Sequence, residues 1–336
     1  MENTSNRRSK TLYILSSLAI VLSLTAIALG IFVFATQKPD DEDFYRQNVK
    51  DNLHNFSAPL PKTLTFCGEE VPMDNVFVRE ALDRELTSLM YQHSTTFLVL
   101  KRAWRYFPEI EQYLRECSAP EDLKYLCTAE SALSNVVSPA KAEGFWQFMA
   151  QTAKQYNLVV RDDYDERYNL KKATYAAAKY LKASRSRLGD WALACAAYNC
   201  GEGGLRNRMS EQGIKSYWKL ALNNETARYV YRILAYKILM QNPQQYGYYL
   251  RKQDAHQTLE YTTLTIDSTI NDLPAFTQQI KVPYKYFKLA NPELKGKKLI
   301  NKEKKTYTFR IPTQGSYSWT KLIKKISNNQ DFIDKF

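Results

Sequence analysis

Apolar positions divide the 336-residue chain into segments of different period. Between Thr11 and Ala35 no residue is charged and Leu, Ile, Val, Ala and Phe dominate, a length that spans a bilayer. Residues 36–73 are polar, carry Pro39, Pro59 and Pro61, and hold no sustained period, which reads as a tether. From Asp74 the pattern turns helical, with Val78, Leu82, Leu86 and Leu89 on one stripe. A second helix is expected from about Ser94, through Leu98, Leu100, Trp104 and Phe107, until Pro108 interrupts it. Ile110, Tyr113 and Leu114 continue the apolar content. Ser118 with Glu121 three residues on, and Pro120 between, predicts a capping box. The helix behind it puts Leu123, Leu126 and Cys127 on one face, and the next step along that face is Glu130.

Further on, Asn169 reads as the N-cap of a helix through Leu170, Ala173, Ala177, Tyr180 and Leu181 that ends near Gly189. Asp190 caps the next, rich in small residues, after which Gly201, Gly203 and Gly204 leave backbone bare for a ligand. A helix from Glu225 to Gln241 turns Val230, Ile233, Leu234 and Ile238 inward. From Thr262 the texture changes to strand, helix, helix, strand, closing on Tyr307–Pro312. The expected class is mainly α: a tail over 1–10, a transmembrane helix over 11–35, the tether over 36–73, and a helical domain over 74–250 with its core at 118–245. A small βααβ module over 258–313 and a polar extension over 314–336 follow.

Charge sharpens the topology. Arg7, Arg8 and Lys10 precede the apolar segment while Asp40, Asp41, Glu42 and Asp43 follow it, which puts the tail in the cytoplasm and the rest outside. A cleaved signal sequence is the alternative and leaves export intact. The formal net charge is +12, and nine lysines lie between Lys281 and Lys305 against Glu293 and Glu303. Outside the cytoplasm such a stretch suits an acidic wall polymer or a membrane surface better than nucleic acid. Five cysteines, Cys67, Cys117, Cys127, Cys195 and Cys200, are too scattered for a disulfide scaffold, and His54, His93 and His256 are isolated. No metal and no cofactor is expected.

Glu130 stands where its helix calls for an apolar side chain. A buried carboxyl either finds a cation or takes up a proton and stays neutral. The first outcome is plain structure; the second provides a general acid of the kind glycosidic bond cleavage needs.

Four blocks in order surround it: Ala-Glu-Ser at 129–131, Gly-Phe-Trp-Gln-Phe-Met at 144–149, Ala-Tyr-Asn-Cys-Gly at 197–201 and Glu-Thr-Ala-Arg-Tyr-Val at 225–230. Together they resemble the lytic transglycosylase family of bacterial cell-wall enzymes, which has a lysozyme-like helical fold. Thr-Phe-Cys-Gly-Glu-Glu-Val-Pro at 65–72 and Lys-Arg-Ala-Trp-Arg-Tyr-Phe-Pro at 101–108 look like its membrane-bound D type. The resemblance implies Glu130 as the single catalytic acid/base, Ser131 at the helix end, and Ser138, Gln147 and Met149 along the sugar cleft. It also implies that the Tyr198 hydroxyl points at the acid, that Asn199 supports the local turn, and that Tyr229 lines the cleft. The implied partner is the peptidoglycan glycan strand, cut between N-acetylmuramic acid and N-acetylglucosamine with closure of a 1,6-anhydro ring.

This chain departs from the family pattern at Lys141, where glycine is usual, at Cys200 in place of alanine and at Ala150 in place of proline. Residues 258–313 resemble a LysM module, with Asn291-Pro292 and Ile311-Pro312 as its marks and Asp267-Ser268-Thr269 replacing the usual Gly-Asp-Thr. Either it binds glycan or it has become a packing and spacing unit. The competing functional readings are a lysozyme-like hydrolase in the same cleft and a non-catalytic wall-binding scaffold.

Overall fold

The computed structural model describes residues 2–36, 46, 56–326 and 330–336. It divides into two units, residues 1–57 and residues 58–336.

The first unit is the helix α1 (Glu2–Thr36). Its stretch Leu12–Phe32 has a mean hydropathy of 2.4 and none of it is buried, so it is long and apolar enough to cross a membrane. Its hydroxyls bond within the helix: Ser17 Oγ donates to the Tyr13 carbonyl at 2.7 Å and Ser23 Oγ to that of Ala19 at 2.8 Å. A helix that crosses lipid would need such internal satisfaction.

The second unit is mainly helical. A hairpin of β1 (Thr65–Phe66) and β2 (Glu69–Glu70) leads into α2 (Val76–Tyr91), α3 (His93–Glu116) and α4 (Leu123–Ser131). Then come α5 (Ala150–Gln155), α6 (Leu170–Leu188), α7 (Trp191–Cys200), α8 (Glu202–Gln212) and α9 (Asn224–Gln241). Helix α9 is central and packs against α2, α4 and α7. Val230, Ile233 and Leu234 are wholly buried on it, as are Val78, Leu82 and Leu86 on α2. Asn169 and Asp190 cap α6 and α7 by accepting from Lys172 N and Leu193 N, and Gly189 ends α6 at φ +104°.

Three local expectations fail. Pro108 does not interrupt α3, which runs through it. The proline forfeits one backbone bond, and the buried face of Val99, Leu100, Ala103, Phe107, Ile110 and Leu114 outweighs that loss. The Ser118–Glu121 capping box does not form. Ser118 adopts φ +49° as the exit turn of α3, with Ala119 N bonding to the Leu114 carbonyl at 2.9 Å, and Glu121 pairs with Arg115 at 2.7 Å. The tether does not extend to residue 73. Ala58, Leu64, Phe66, Val71 and Met73 are buried, and the earlier part of the tether lies mostly outside the described residues.

The C-terminal module is β3 (Tyr261–Ile266), α10 (Leu273–Gln279), α11 (Tyr284–Ala290) and β4 (Tyr307–Pro312), with β3 and β4 antiparallel and Leu264 opposite Phe309. Leu273, Phe287, Leu294, Leu299 and Phe309 form its own core. Asn291 is buried and ties α11 to β4, donating to the Arg310 carbonyl at 2.8 Å and accepting from Arg310 N at 2.7 Å. After α12 (Trp319–Lys324), residues 331–336 return to the helical domain, where Ile333 N bonds to the Leu250 carbonyl and Phe336 N to that of Met240.

Candidate active site

Helix α4 presents Glu130 in its last turn. Leu123, Leu126 and Cys127 bury the helix face before it. Beyond it Ala132 and Leu133 both take left-handed φ, +50° and +54°, a conformation costing about 1 kcal/mol or more per non-glycine residue. Arg102 holds this turn by donating to the Ala132 carbonyl at 2.9 Å, while Leu133 is buried. Glu130 itself, one residue before the helix ends, is half-buried.

Burial pushes the Glu130 carboxyl up to about 7; a hydrogen bond from Tyr229 and the charge of Arg232 oppose this, and Glu225 adds to it. Tyr229, on α9, donates its hydroxyl to Glu130 Oε1. Arg232 forms its ion pair with Glu85, at 3.7 Å. Glu130 is therefore a carboxyl poised between its two forms near neutrality, held by a phenol and, among the described residues, in no ion pair.

The phenol on the carboxyl is Tyr229 and not Tyr198. Tyr198 packs edge-on against Phe148 and Tyr180 with centroids 5.9 and 5.1 Å away, and its hydroxyl donates to the Trp146 carbonyl at 2.7 Å. Burial, and then the Glu130 charge, push the Tyr198 hydroxyl well above its usual range.

Ser131 ends α4. It is buried, and its Oγ donates back to the Cys127 carbonyl at 3.1 Å, so it finishes the helix. Ser138 and Gln147 organise one loop. Ser138 Oγ accepts from Ala142 N at 2.9 Å, and Gln147 Nε2 donates to the carbonyls of Val136 and Gly144 at 3.0 and 2.7 Å. Lys141 sits at φ +65°, the conformation a glycine would adopt there, so its substitution keeps the turn. Met149 is 45% exposed at the end of this loop. Asn199 accepts from the Thr226 hydroxyl at 2.9 Å and so joins α7 to the start of α9. Beside it a groove of about 470 Å³ is lined by Cys200, Gly204, Leu205, Arg208, Leu222 and Thr226. A Cβ placed on Gly203 or Gly204 would meet nothing within 4 Å, so the backbone there is open.

Three of the other acids near these motifs, Glu143, Glu202 and Asp165, are committed to ion pairs. Burial raises the Glu143 carboxyl, but the Tyr168 hydroxyl at 2.6 Å, Arg167 at 3.1 Å and Lys295 at 3.6 Å together hold it below the usual range. Glu202 is held low by its hydrogen bonds from Arg187, closing to 2.5 Å, with Arg206 adding to them. Asp165 is buried and chelated by Arg167, which also donates to the carbonyls of Lys141 and Phe148 at 3.3 and 3.2 Å. Nothing in the residue type or spacing of Arg167 signals this role under the loop. Among the described residues no group of His, Cys, Asp and Glu could hold a metal ion, and all five cysteines are free thiols.

Residues 108–221 match the transglycosylase SLT domain, and residues 262–315 match the soluble lytic transglycosylase C-terminal LysM-like domain. Membrane-bound lytic murein transglycosylase D of Escherichia coli K12 is 30% identical over 211 residues, 60% of this chain and 46% of that protein. The same protein of Escherichia coli O6:H1 matches with the same identity and cover. The chain thus spans about half the length of these curated relatives.

Proposed function

We propose that this chain, which carries a transglycosylase SLT domain and a LysM-like domain, is a membrane-anchored peptidoglycan lytic transglycosylase. The observation that carries the reading is Glu130: a carboxyl near neutral in its proton affinity, bonded to Tyr229, with Glu143 and Glu202 locked elsewhere in ion pairs. Most glycosidases need two free carboxylates flanking the bond. One is enough when the attacking hydroxyl is already on the substrate. Protonated Glu130 donates to the oxygen between N-acetylmuramic acid and N-acetylglucosamine, and the bond from that oxygen to the muramoyl C1 breaks. The ionised carboxylate then takes the proton of the muramoyl C6 hydroxyl, whose oxygen bonds to C1 and closes the anhydro ring. The attack is intramolecular and gains the advantage of proximity. The acid is restored and no water is consumed.

Helix α1 supplies a membrane anchor, the basic flank before it stays in the cytoplasm, and the catalytic unit works on the wall outside. Digestion of purified sacculi tests the chemistry. Wild type is expected to release muropeptides lighter by one water than reducing-end products, and Glu130→Gln to fold normally while losing about a thousandfold or more in rate. Reducing ends in place of anhydro ends would identify a hydrolase, and undiminished turnover by the variant would remove Glu130 from the chemistry.

A further inference from the structure

The C-terminal module is joined to the loop that carries Ser138 and Gln147. Residues 163–165 of the helical domain pair with residues 293–295 of the module. Tyr164 bridges to Leu294, Asp165 N bonds to the Glu293 carbonyl at 2.8 Å and Lys295 N to that of Asp163 at 2.9 Å. Asp163 also accepts from Ile300 N at 2.8 Å, and the rings of Tyr164 and Tyr307 meet edge-on at 4.9 Å. This seam directs Lys295 at the carboxyl of Glu143. Lys295 Nζ lies 3.6 Å from Glu143 Oε2 and 3.7 Å from the centroid of the Tyr168 ring, whose hydroxyl donates to the same Oε2 at 2.6 Å.

Glu143 is the hub of the loop. Its backbone bridges to Val137 on one side and to Phe148 on the other, and Glu143 N bonds to the Phe148 carbonyl at 3.1 Å. Arg167 reaches the other carboxylate oxygen at 3.1 Å. One side chain from the module thus completes the charge set, Arg167 and Lys295 around Glu143, that fixes the loop carrying Ser138 and Gln147.

We infer that Lys295 is a positioning residue for the reaction, and that the LysM-like module acts through it as a wall of the catalytic unit as well as through any glycan surface of its own. The inference rests on the proposed transglycosylase reading. A partly exposed ion pair with a cation–π contact is modest in stability, so the effect belongs in loop placement, not in global folding.

The test uses the full-length protein and a soluble glycan fragment with one scissile bond, assayed beside intact sacculi. Lys295→Met keeps the aliphatic stem and removes the charge. It is expected to lower kcat on the fragment about three- to tenfold with unchanged sacculus binding and unchanged Tm, and Lys295→Arg is expected to restore most of it. Equal kcat for Lys295→Met and wild type, or a loss confined to KM and sacculus binding, would overturn the inference. So would failure of Lys295→Arg to recover rate while Tm is preserved. Absence of anhydro product from wild type would instead strike at the function itself, so the two failures are distinguishable.

Discussion

At the scale of the residue, one carboxyl can make both proton transfers only if its affinity for the proton lies near the working pH. Burial lifts Glu130 towards that value and the Tyr229 hydroxyl pulls it down. Activity that depends on the protonated acid is present below about 7 and falls as pH rises through it. Tyr229→Phe removes the bond that favours the anion, so the alkaline limb of the kcat profile is expected to move to higher pH while kcat drops about tenfold. A limb that stayed in place or moved down would contradict this account of the phenol. Glu130 was legible because it breaks an apolar face. Its partner was not, because Tyr198 and Tyr229 both sit among apolar neighbours in the motif blocks. Periodicity does not say which phenol turns its oxygen inward. The Trp146 carbonyl decides the matter by accepting the hydrogen bond of the Tyr198 hydroxyl. Ser131, next to the acid, bonds back to its own helix at the Cys127 carbonyl.

At the scale of the element, the loop over 136–149 is set by close backbone approach. Gly144 has φ +83°, and a Cβ there would lie 2.1 Å from the Arg167 carbonyl oxygen. Gly144→Ala must push apart two backbones, so a loss of about 2 kcal/mol or more and a collapse of activity are expected in denaturant titration and glycan digestion. Little change in either would mean that the loop and the 165–168 segment move freely. Elements held by local chemistry could be read directly: the stripes of α2 and α9, and the Asn169 and Asp190 caps. Elements decided by distant packing could not. The short segment 64–73 has no period, but Lys237 reaches the Thr65 carbonyl and Asp122 at 2.7 Å and pins the hairpin to the helical core. Ser118 carries the residue type of a cap, and the exit turn of α3 claimed it first.

At the scale of the whole molecule, the two units invite separation. Removing residues 1–36 is expected to move the protein from the membrane to the soluble fraction with undiminished activity on soluble glycan, measured by fractionation and digestion. Persistence in the membrane would place attachment elsewhere. Within the second unit, residues far apart in sequence complete one another. Tyr125, one turn before Glu130, donates to the carbonyl of Phe336, 211 residues on, at 3.3 Å, and Ile333 is 2% exposed. A contact of such long range closes late in folding, since the entropy of the intervening loop is spent before any return. A nascent polypeptide would therefore leave Tyr125, Met240 and Leu250 without these bonds until residues 331–336 had left the ribosome, so stalled or truncated chains would carry an unclosed seam there.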